Sequence, residues 1–423
     1  MTTTHEISLD DLDLTRWVRD GDVVMWGQSS GEPLPLTARL MSQRHAIGRI
    51  RAFIGLTESE TLQPEHADVV SFVSYCGSAA NRRLEQAGAL TVLPSHYSDL
   101  ARHLADGTFA VDVLFLMVTA EPGGGYRIAV TNEYLEAAID RARVVIAELS
   151  DAFPRTGGAR VLAPDNVDMV VRTSRTPLSV APRGPSAAEL AIADHIAALV
   201  PDGATLQFGL GSLPTAVLAG LTDRRDLGVH SGMLSDAVVA LVEAGALTGR
   251  CKTVDRGLIV AGTLMGSQRL FDFVDGRPDV HLRGTAYTHD PAVLGAQHQL
   301  VAINSALEVD LTGQVNTEVA LGRYLGAVGG VVDFIRGAHR SSGGLPIIAL
   351  PSTAGIHSRI VSQLSGPVSM TRSDAGLIVT EHGIADLRGL TMPQRRERLL
   401  AIAHPQHRDR LDAEPSSATA LPA

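Results

Sequence analysis

The sequence predicts an α/β protein made of two similar halves, each built on a mostly parallel sheet. Short β-rich runs alternate with helical segments along the chain, which is typical of strands joined by helical crossovers. The run at residues 20–27 (DGDVVMWG) is echoed at 202–209 (DGATLQFG), so one supersecondary plan occurs twice. The 423 residues are also enough for two domains of ordinary size.

Each copy of the repeat has the pattern of a strand, a loop and a helix. An acidic-glycine turn leads into a β-rich run, and a small-residue turn, a proline (Pro33 or Pro214) and an apolar helix-like run follow. Further buried strands are predicted from short apolar runs between helical segments, at residues 111–118, 144–148, 258–261 and 346–350.

The domain limits are predicted from a break in the pattern between the two halves. Residues 173–188 carry three prolines and little periodicity, as an extended linker does, which places the boundary near Pro185. We therefore expect an N-terminal domain at 1–185 and a C-terminal domain with the active-site motifs at 186–411. The small, polar segment 412–423 is predicted to be a disordered tail.

Composition excludes several classes of function. The net charge is −10 and no block of Lys or Arg occurs, which argues against nucleic-acid and membrane-surface partners. The acidic N-terminus and the absence of an 18-residue apolar run predict a cytoplasmic protein. Cys76 and Cys251 are too few for a disulfide framework, and no metal site is expected. Lys252, the only lysine, leaves little room for lysine-nucleophile chemistry.

Glycine-rich loops are the candidate ligand contacts. Gly209 and Gly211 follow a predicted strand and precede a helix, as a backbone cradle for phosphate or CoA pyrophosphate would, although a plain tight turn has the same pattern. Gly329 and Gly330 lie near apolar strands, where backbone N–H groups could face a ligand or the glycines could serve close packing. Among the histidines beside loop signals, His230 is the one that its context supports.

The C-terminal half resembles the acetyl-CoA hydrolase/transferase family, which includes 4-hydroxybutyrate and butyrate:acetate CoA-transferases. The N-terminal half resembles it more loosely, through residues 20–24, 138–158 and the pair Gly125-Tyr126. The resemblance thus covers nearly the whole chain and implies two similar CoA-transferase-like α/β domains. The matching stretches of the C-terminal half are 206–214 (LQFGLGSLP), 226–236 (DLGVHSGMLSD), 302–315 (AINSALEVDLTGQV), 329–338 (GGVVDFIRGA), 346–354 (PIIALPSTA) and 379–389 (VTEHGIADLRG).

The resemblance also implies a covalent mechanism that this chain is expected to lack. In the family a glutamate carboxylate attacks the acyl-CoA thioester, and the resulting anhydride becomes a glutamyl-CoA thioester. That glutamate lies in a segment resembling GIHTEMFSD, which matches residues 228–236 (GVHSGMLSD) without a gap. Gly232 occupies its place, and a residue without a side chain cannot attack.

Other family positions define the rest of the candidate site. Asn304 corresponds to a residue used beside the thioester, and Gly329-Gly330 to the oxyanion loop. Ser342 and Leu345 match lysines of the family, so positive charge is reduced there and the choice of substrate is expected to differ. The positions expected to contact the substrate or CoA are Gly209, Gly211, Gly125, Tyr126, Ala327 and Val331.

Three hypotheses follow. In the first, water or an acceptor other than a carboxylate attacks the thioester directly, with His230 as candidate base and Ser231 as candidate nucleophile. In the second, another carboxylate such as Glu308 or Glu243 restores CoA transfer. In the third, the chain binds a CoA ester without chemistry.

In the two catalytic hypotheses the CoA thioester is a substrate, and no permanently bound cofactor is expected. A homodimer or homotetramer is the expected assembly. The sequence does not specify the acyl group or the acceptor.

Overall fold

The computed structural model describes residues 5–181 and 183–414, and its architecture is α/β, as predicted. In chain order the strands are β1 (His5–Ile7), β2 (Val23–Trp26), β3 (Ile50–Ile54), β4 (Val70–Ser74), β5 (Leu90–Val92), β6 (Val113–Ala120), β7 (Tyr126–Ile128), β8 (Val144–Ser150), β9 (Val161–Leu162), β10 (Met169–Thr173), β11 (Thr205–Phe208), β12 (Gly228–His230), β13 (Met233–Leu234), β14 (Ile259–Ala261), β15 (Thr263–Leu264), β16 (Val280–Leu282), β17 (Leu300–Ser305), β18 (Glu308–Asp310), β19 (Val315–Asn316), β20 (Val319–Ala320), β21 (Arg323–Tyr324), β22 (Leu345–Ala349), β23 (Thr353–Ala354), β24 (His357–Ser358), β25 (Ile360–Val361), β26 (Leu377–Thr380) and β27 (Gly383–Asp386).

The helices alternate with these strands. They are α1 (Leu34–Ile47), α2 (Asn81–Gln86), α3 (Tyr97–Asp106), α4 (Leu135–Ile139), α5 (Ala187–Leu199), α6 (Ser212–Ala219), α7 (Asp236–Glu243), α8 (Gln268–Val274), α9 (Thr285–Thr288), α10 (Pro291–Gly295), α11 (Val331–Arg340), α12 (Met392–Ile402) and α13 (Pro405–Ala413). Among the described helices, none combines the length and the apolar character needed to span a bilayer.

The described chain divides into two compact units, each assembled from three segments. Unit 1 contains residues 5–181, 232–236 and 260–288, and unit 2 contains residues 183–231, 237–259 and 289–414. Gly232, on which the functional hypotheses depend, lies in the short segment of unit 1 that the chain reaches after leaving unit 2.

Unit 1 is built on a large parallel sheet. Its strand order is β1-β10-β8-β6-β2-β3-β4-β5, and neighbouring strands along this path are parallel. The apolar run Val23–Trp26 reflects burial on both faces, since Val24 and Trp26 pack in one buried cluster and Met25 in the other. β7 and β9 extend the sheet in antiparallel fashion, and β13 pairs in parallel with β15.

Unit 2 repeats this plan. Its strands run in the order β12-β11-β17-β22-β26, all parallel, with β27 antiparallel at the edge. Helix α11 packs on β17 and β22, and Phe334 and Ile335 of this helix enter the buried cluster of the unit. Helix α5 begins after Ser186, whose hydroxyl accepts from the backbone N–H of Glu189 in a capping box.

The C-terminal residues continue the fold further than the sequence predicts. Helix α13 ends at Ala413, so residues 412 and 413, assigned above to a disordered tail, are helical. The Arg396 guanidinium donates to the carbonyls of Leu411 and Asp412, and Ser362 Oγ donates to the Glu414 carboxylate at 2.6 Å. These bonds hold a segment whose own composition is polar. Residues 415–423 of the predicted tail lie outside the described residues.

Candidate functional site

The carboxyl ends of the central strands of unit 2 bring several predicted residues to one edge of its sheet. β11 pairs in parallel with both β12 and β17, so Gly209, Ser231 and Asn304 lie where these three strands end. This edge is where ligands bind in open α/β sheets.

Asn304 is held by a neighbouring amide. Its Nδ2 donates to Gln207 Oε1 at 2.9 Å, and Gln207 Nε2 donates to Asn304 Oδ1 at 3.2 Å. Both side chains are buried. The pairing uses one N–H of the Asn304 amide and fixes the direction of the other, as a preorganised donor requires.

His230 and Ser231 are both fully buried, and each has a protein partner. His230 Nδ1 lies 3.1 Å from Nε2 of Gln297. Ser231 Oγ donates to the Phe208 carbonyl at 3.2 Å, which ties the end of β12 to the end of β11. A hydrogen bond to a backbone carbonyl does not by itself activate a hydroxyl as a nucleophile.

Gly329 and Gly330 form the turn that begins α11. Gly329 has φ +57°, and Gly330 is the N-cap of the helix. A Cβ on Gly330 would lie 2.7 Å from Nε2 of His289, so close packing requires glycine there. The first N–H groups of a helix have no partner within it, and in α11 they begin next to this turn. The loop can therefore present donors to an oxyanion.

His289 supports this turn and was not singled out by the sequence pattern. Its ring is buried and packs on Phe334 with 4.5 Å between ring centroids. Burial, together with the charge of His230, lowers the pKa of His289 from 6.5 to about 3. His289 is therefore neutral at physiological pH and serves packing beneath Gly330.

Gly209 and Gly211 lie on an open loop before α6. Gly211 is the N-cap of this helix with φ +124°, and a Cβ on either glycine would meet nothing within 4 Å. The loop leaves room for a ligand. A negative group already lies near this N-terminus, since Ser212 Oγ donates to Glu189 Oε1 at 2.6 Å.

Ala327 and Val331 flank the glycine turn. The carbonyl of Ala327 accepts from Thr317 Oγ1 at 2.6 Å, and Val331, the first residue of α11, packs against the buried cluster of unit 2. Both positions are thus next to Gly329-Gly330, where side chains can shape the surroundings of the loop.

Gly125 and Tyr126 lie in unit 1, at the hairpin between β6 and β7. Gly125 has φ +88°, and a Cβ there would lie 2.3 Å from the carbonyl oxygen of Leu162. Tyr126 pairs with Ala120 across the hairpin and with Leu162 of β9. The glycine is therefore required by the turn itself.

Gly232 lies in unit 1 and is held by its carbonyl. This oxygen accepts from the N–H groups of Gly262 at 3.0 Å and Thr263 at 3.2 Å, beside the parallel pair of β13 and β15. The same segment holds the loop that contains Glu133, because the Asn132 N–H donates to the Gly262 carbonyl at 2.9 Å. Gly262 thus connects the two segments, because its N–H donates to the Gly232 carbonyl and its carbonyl accepts from the Asn132 N–H.

Glu133 is a buried carboxyl group that the sequence analysis missed. Its Oε2 accepts from Gln28 Nε2 at 2.7 Å, and the Tyr97 hydroxyl also donates to it. Burial raises the pKa of Glu133 from 4.5 to about 7, against the lowering effect of these two hydrogen bonds. A carboxyl group with this pKa can give or take a proton near neutral pH.

Gln28 organises the polar cluster around this carboxyl group. Its Oε1 accepts from the Tyr75 hydroxyl at 2.7 Å and from the Leu56 N–H at 2.8 Å, while its Nε2 contacts both Tyr97 and Glu133. Gln28 follows β2 and Tyr75 follows β4, so the cluster lies at the carboxyl edge of the unit 1 sheet. A sequence signal existed only for Gln28, which follows the repeated strand.

No group of His, Cys, Asp or Glu side chains in the described part of the chain could hold a metal ion.

Two family models match this chain. The acetyl-CoA hydrolase/transferase N-terminal domain matches residues 9–182, and the C-terminal domain of that family matches residues 266–415. The 4-hydroxybutyrate coenzyme A transferase of Clostridium kluyveri is 35% identical over 399 residues, which cover 92% of each chain. The butyryl-CoA:acetate CoA-transferase of Anaerostipes caccae is 32% identical, over 94% of this chain and 93% of the relative.

Hydrolases and solved structures are also among the relatives. An acetyl-CoA hydrolase of Kluyveromyces lactis is 32% identical over 207 residues, 48% of this chain and 38% of the relative. The crystal structure of RipA from Yersinia pestis superposes with a TM-score of 0.90 at 32% identity, covering 96% of both chains. This chain therefore belongs to the acetyl-CoA hydrolase/transferase family and is an enzyme of acyl-CoA transfer or hydrolysis.

Proposed function

We propose that this enzyme transfers the acyl group of a CoA thioester directly to water or to a hydroxyl or amine acceptor, without a glutamyl-CoA intermediate at position 232. The observation that carries the proposal is Gly232, which offers no side chain where the resemblance expects the attacking glutamate. Residues 228–236 match the family segment without a gap, so the alignment of this position does not depend on an insertion.

The local backbone supports the same reading of position 232. Its carbonyl accepts two hydrogen bonds, from Gly262 and Thr263, and β13 follows directly. The segment is thus anchored in unit 1, and the side chain is the part that differs from the family pattern.

Donors suited to a thioester oxyanion are present in unit 2. The Asn304 amide is oriented by Gln207, and the Gly329-Gly330 turn begins a ten-residue helix. Groups of this kind stabilise the negative charge that develops on a carbonyl oxygen when a nucleophile adds. Their presence favours chemistry on a thioester over the hypothesis of a pure binding protein.

In hydrolysis the water oxygen forms a bond to the thioester carbonyl carbon and gives its proton to a base. The carbon–sulfur bond then breaks, and the CoA thiolate leaves and takes up a proton, so the products are a carboxylic acid and CoA thiol. An alcohol or amine acceptor follows the same course and gives an ester or an amide.

The side chains first considered were His230 as the base, Ser231 as a nucleophile, and Glu308 or Glu243 as carboxylates that restore CoA transfer. Ser231 Oγ donates to the Phe208 carbonyl, and His230 Nδ1 lies 3.1 Å from Gln297 Nε2. Among the alternative carboxylates, Glu308 accepts from the Ser365 N–H and hydroxyl at 2.9 and 2.7 Å, while Glu243 is an exposed residue at the end of α7. Glu308 therefore connects β18 to the loop that contains Ser365.

Further properties belong to the same proposal. We propose a cytoplasmic homodimer or homotetramer that uses the CoA thioester as a substrate and holds no permanent cofactor. Sedimentation equilibrium of the purified chain tests the assembly, and the mass of the native protein tests for a retained cofactor.

The decisive experiment measures thiol release from acetyl-, propionyl- and butyryl-CoA, alone and with acetate, alcohol or amine acceptors. Thiol release in water alone or with a hydroxyl or amine acceptor supports the proposal. Dependence on acetate, with formation of acetyl-CoA from another acyl-CoA, would overturn it in favour of CoA transfer. Tight binding of these thioesters without turnover would overturn it in favour of a binding protein.

A further inference from the structure

We propose that Glu133 is the general base of this enzyme, which takes the proton of the attacking water in place of any side chain at position 232. This inference deepens the proposed function and depends on it. It is carried by four observations in unit 1, which concern the position, the partners, the backbone and the hydrogen-bonding capacity around this carboxyl group.

The first observation is proximity to position 232. A Cβ built on Gly262 would lie 2.9 Å from Glu133 Cγ and 2.9 Å from the Gly232 carbonyl oxygen. Glu133 Cγ and the Gly232 carbonyl oxygen are therefore separated by no more than the sum of these two distances. Only a glycine at 262 permits the approach, since any side chain there would separate them. The Glu133 side chain thus lies beside the backbone of the position that lacks a carboxyl group.

The second observation is the set of partners. Gln28 donates to Glu133 Oε2 at 2.7 Å and the Tyr97 hydroxyl donates as well, so two neutral groups orient the carboxylate. No cation is among these partners, in contrast to Glu148, which is equally buried but paired with Arg175 at 2.7 Å. A carboxylate held by neutral donors stays basic, because no opposite charge stabilises its ionised form.

The third observation is the backbone. Ser29, Val130 and Glu133 have φ of +51°, +64° and +37°, a region that residues other than glycine rarely adopt. Val130 is β-branched, which makes its conformation more costly still. All three lie in the two loops that carry Gln28 and Glu133. Strain of this kind persists at sites where exact placement of a side chain matters.

The fourth observation is unused hydrogen-bonding capacity in the segments that carry Gln28 and Glu133. The hydroxyls of Ser29 and Ser30 and Oδ1 of Asn132 are buried and have no hydrogen-bond partner among the described residues. Ser29 follows Gln28 and Asn132 precedes Glu133 in the chain. Buried polar atoms without protein partners commonly bind ordered water, which is the molecule that a general base needs.

The proposed step balances as follows. The water oxygen attacks the thioester carbonyl carbon while its proton passes to the Glu133 carboxylate. The carbon–sulfur bond breaks and the thiolate receives this proton, so Glu133 returns to its ionised form. The products are the free acid and CoA thiol, and no other reactant is needed.

The test compares Glu133→Gln with Glu32→Gln in the full chain, using the acyl-CoA that the wild type hydrolyses fastest. Glu32 is also buried with its pKa raised to about 7, but its oxygens are held by Ser59 and the Glu58 N–H. We expect Glu133→Gln to lower kcat by about a hundredfold or more, the usual scale for loss of a general base. Glu32→Gln should change it by less than about threefold.

A pH profile separates a base from a structural residue. The titratable groups that face Glu133 are Tyr97 of α3, Tyr75 after β4 and Tyr134 on its own loop. Burial raises the pKa of each tyrosine well above 10. The charge of Glu133 raises these pKa values further, and for Tyr75 the charge of Cys76 has a larger effect than that of Glu133. The three tyrosines stay neutral from pH 5 to 9. The wild-type kcat/KM should therefore fall tenfold per pH unit below about 7, a limb that the Gln variant loses.

Several outcomes overturn the inference. If Glu133→Gln has the kcat of the wild type, Glu133 is not the general base. Thiol release by the wild type would still support the proposed function in that case. A wild-type profile that is flat between pH 5.5 and 8 would likewise show that Glu133 is not the general base. A CoA adduct mapped to Glu133 would make it a nucleophile. If Glu133→Gln does not fold, Glu133→Asp retracts the carboxyl by one methylene and should lower kcat at least tenfold with the acidic limb kept. An unchanged kcat in that variant also overturns the role.

Discussion

The side-chain amides of Asn304 and Gln207 form two hydrogen bonds with each other, at 2.9 and 3.2 Å, on adjacent strands of the unit 2 sheet. This pairing orients the donor that we assign to the thioester carbonyl. Asn304→Ala should therefore lower turnover by about a hundredfold, the usual effect of losing one preorganised donor. Gln207→Ala should lower it less, since the donor remains but turns more freely. Turnover unchanged in Asn304→Ala would remove this residue from the mechanism.

No covalent glutamyl-CoA should form during turnover. The attacking carboxylate is absent at position 232, Glu308 is engaged by Ser365, and we assign Glu133 to proton transfer. The measurement is the intact mass of the protein after incubation with acyl-CoA, followed by peptide mapping. A glutamate that carries CoA would contradict the prediction, and its position would identify the nucleophile.

Gly232→Glu should confer or increase CoA transfer between an acyl-CoA and a short carboxylic acid. The ungapped match around position 232 aims the new carboxylate as in the family. The gain should be partial, because Glu133 Cγ lies close to the Gly232 carbonyl and two nearby carboxylates disfavour each other's ionisation. Exchange of labelled acetate with acetyl-, propionyl- and butyryl-CoA measures it.

The control for this variant is the double change Gly232→Glu with Glu133→Gln, which removes the second carboxyl group. It should transfer CoA faster than Gly232→Glu alone and lose hydrolysis. A folded Gly232→Glu protein without exchange and without a trappable glutamyl thioester would show that more than the nucleophile differs from the family.

Gly330→Ala should destabilise the protein through His289. The new Cβ would lie 2.7 Å from His289 Nε2, and the ring is already packed against Phe334. We expect a loss of about 1–3 kcal/mol in the free energy of unfolding, the range for overpacking a filled core. Adding His289→Ala should return part of it. Gly209→Ala is the matched control, since its Cβ would meet nothing within 4 Å. Urea denaturation measures the free energy of unfolding of the wild type, the two glycine variants and the double variant. Equal losses of stability in Gly330→Ala and Gly209→Ala would contradict the contact with His289.

The contribution of Glu32 to stability should fall as pH rises from about 4.5 to 7. Burial raises the pKa of Glu32 from 4.5 to about 7, so between these values the unfolded chain is ionised while the folded one still holds its proton. Folding then becomes less favourable with increasing pH, up to about 3 kcal/mol at 1.4 kcal/mol per pKa unit. The stability of Glu32→Gln relative to the wild type should thus increase as the pH is raised from 5 to 8, which urea denaturation at each pH measures. A difference that does not depend on pH would contradict the shift.

Patterning was sufficient for several of the buried strands. Residues 144–148 and 346–350 were predicted from continuous apolar runs, and the structure has β8 at Val144–Ser150 and β22 at Leu345–Ala349. Such runs are typical of strands buried on both faces, where the alternation of inward and outward residues disappears. The α/β class followed from the same local signals, the family followed from the resemblance of longer stretches, and both are confirmed.

The polar cluster of unit 1 could not be predicted in this way. Glu133 precedes Leu135, the first residue of α4, and an acidic residue at a helix start is ordinary in exposed helices. Its burial results from Gln28, Tyr97 and the 262–263 segment, which are distant in the sequence. Local pattern carries no information about such partners.

The three-segment composition of unit 1 has a consequence for how the protein is made. β13 and β15, which pair in this unit, come after residue 231, and so does Gly262, whose carbonyl accepts from Asn132. During synthesis the N-terminal part leaves the ribosome before these segments have been translated. The loop around Glu133 then lacks the backbone groups with which it forms hydrogen bonds in the folded protein. The loop can therefore reach its native packing only after residue 264 has been translated. A fragment that ends at Pro185 would lack these backbone partners, and its unpaired N–H and C=O groups could associate with other chains.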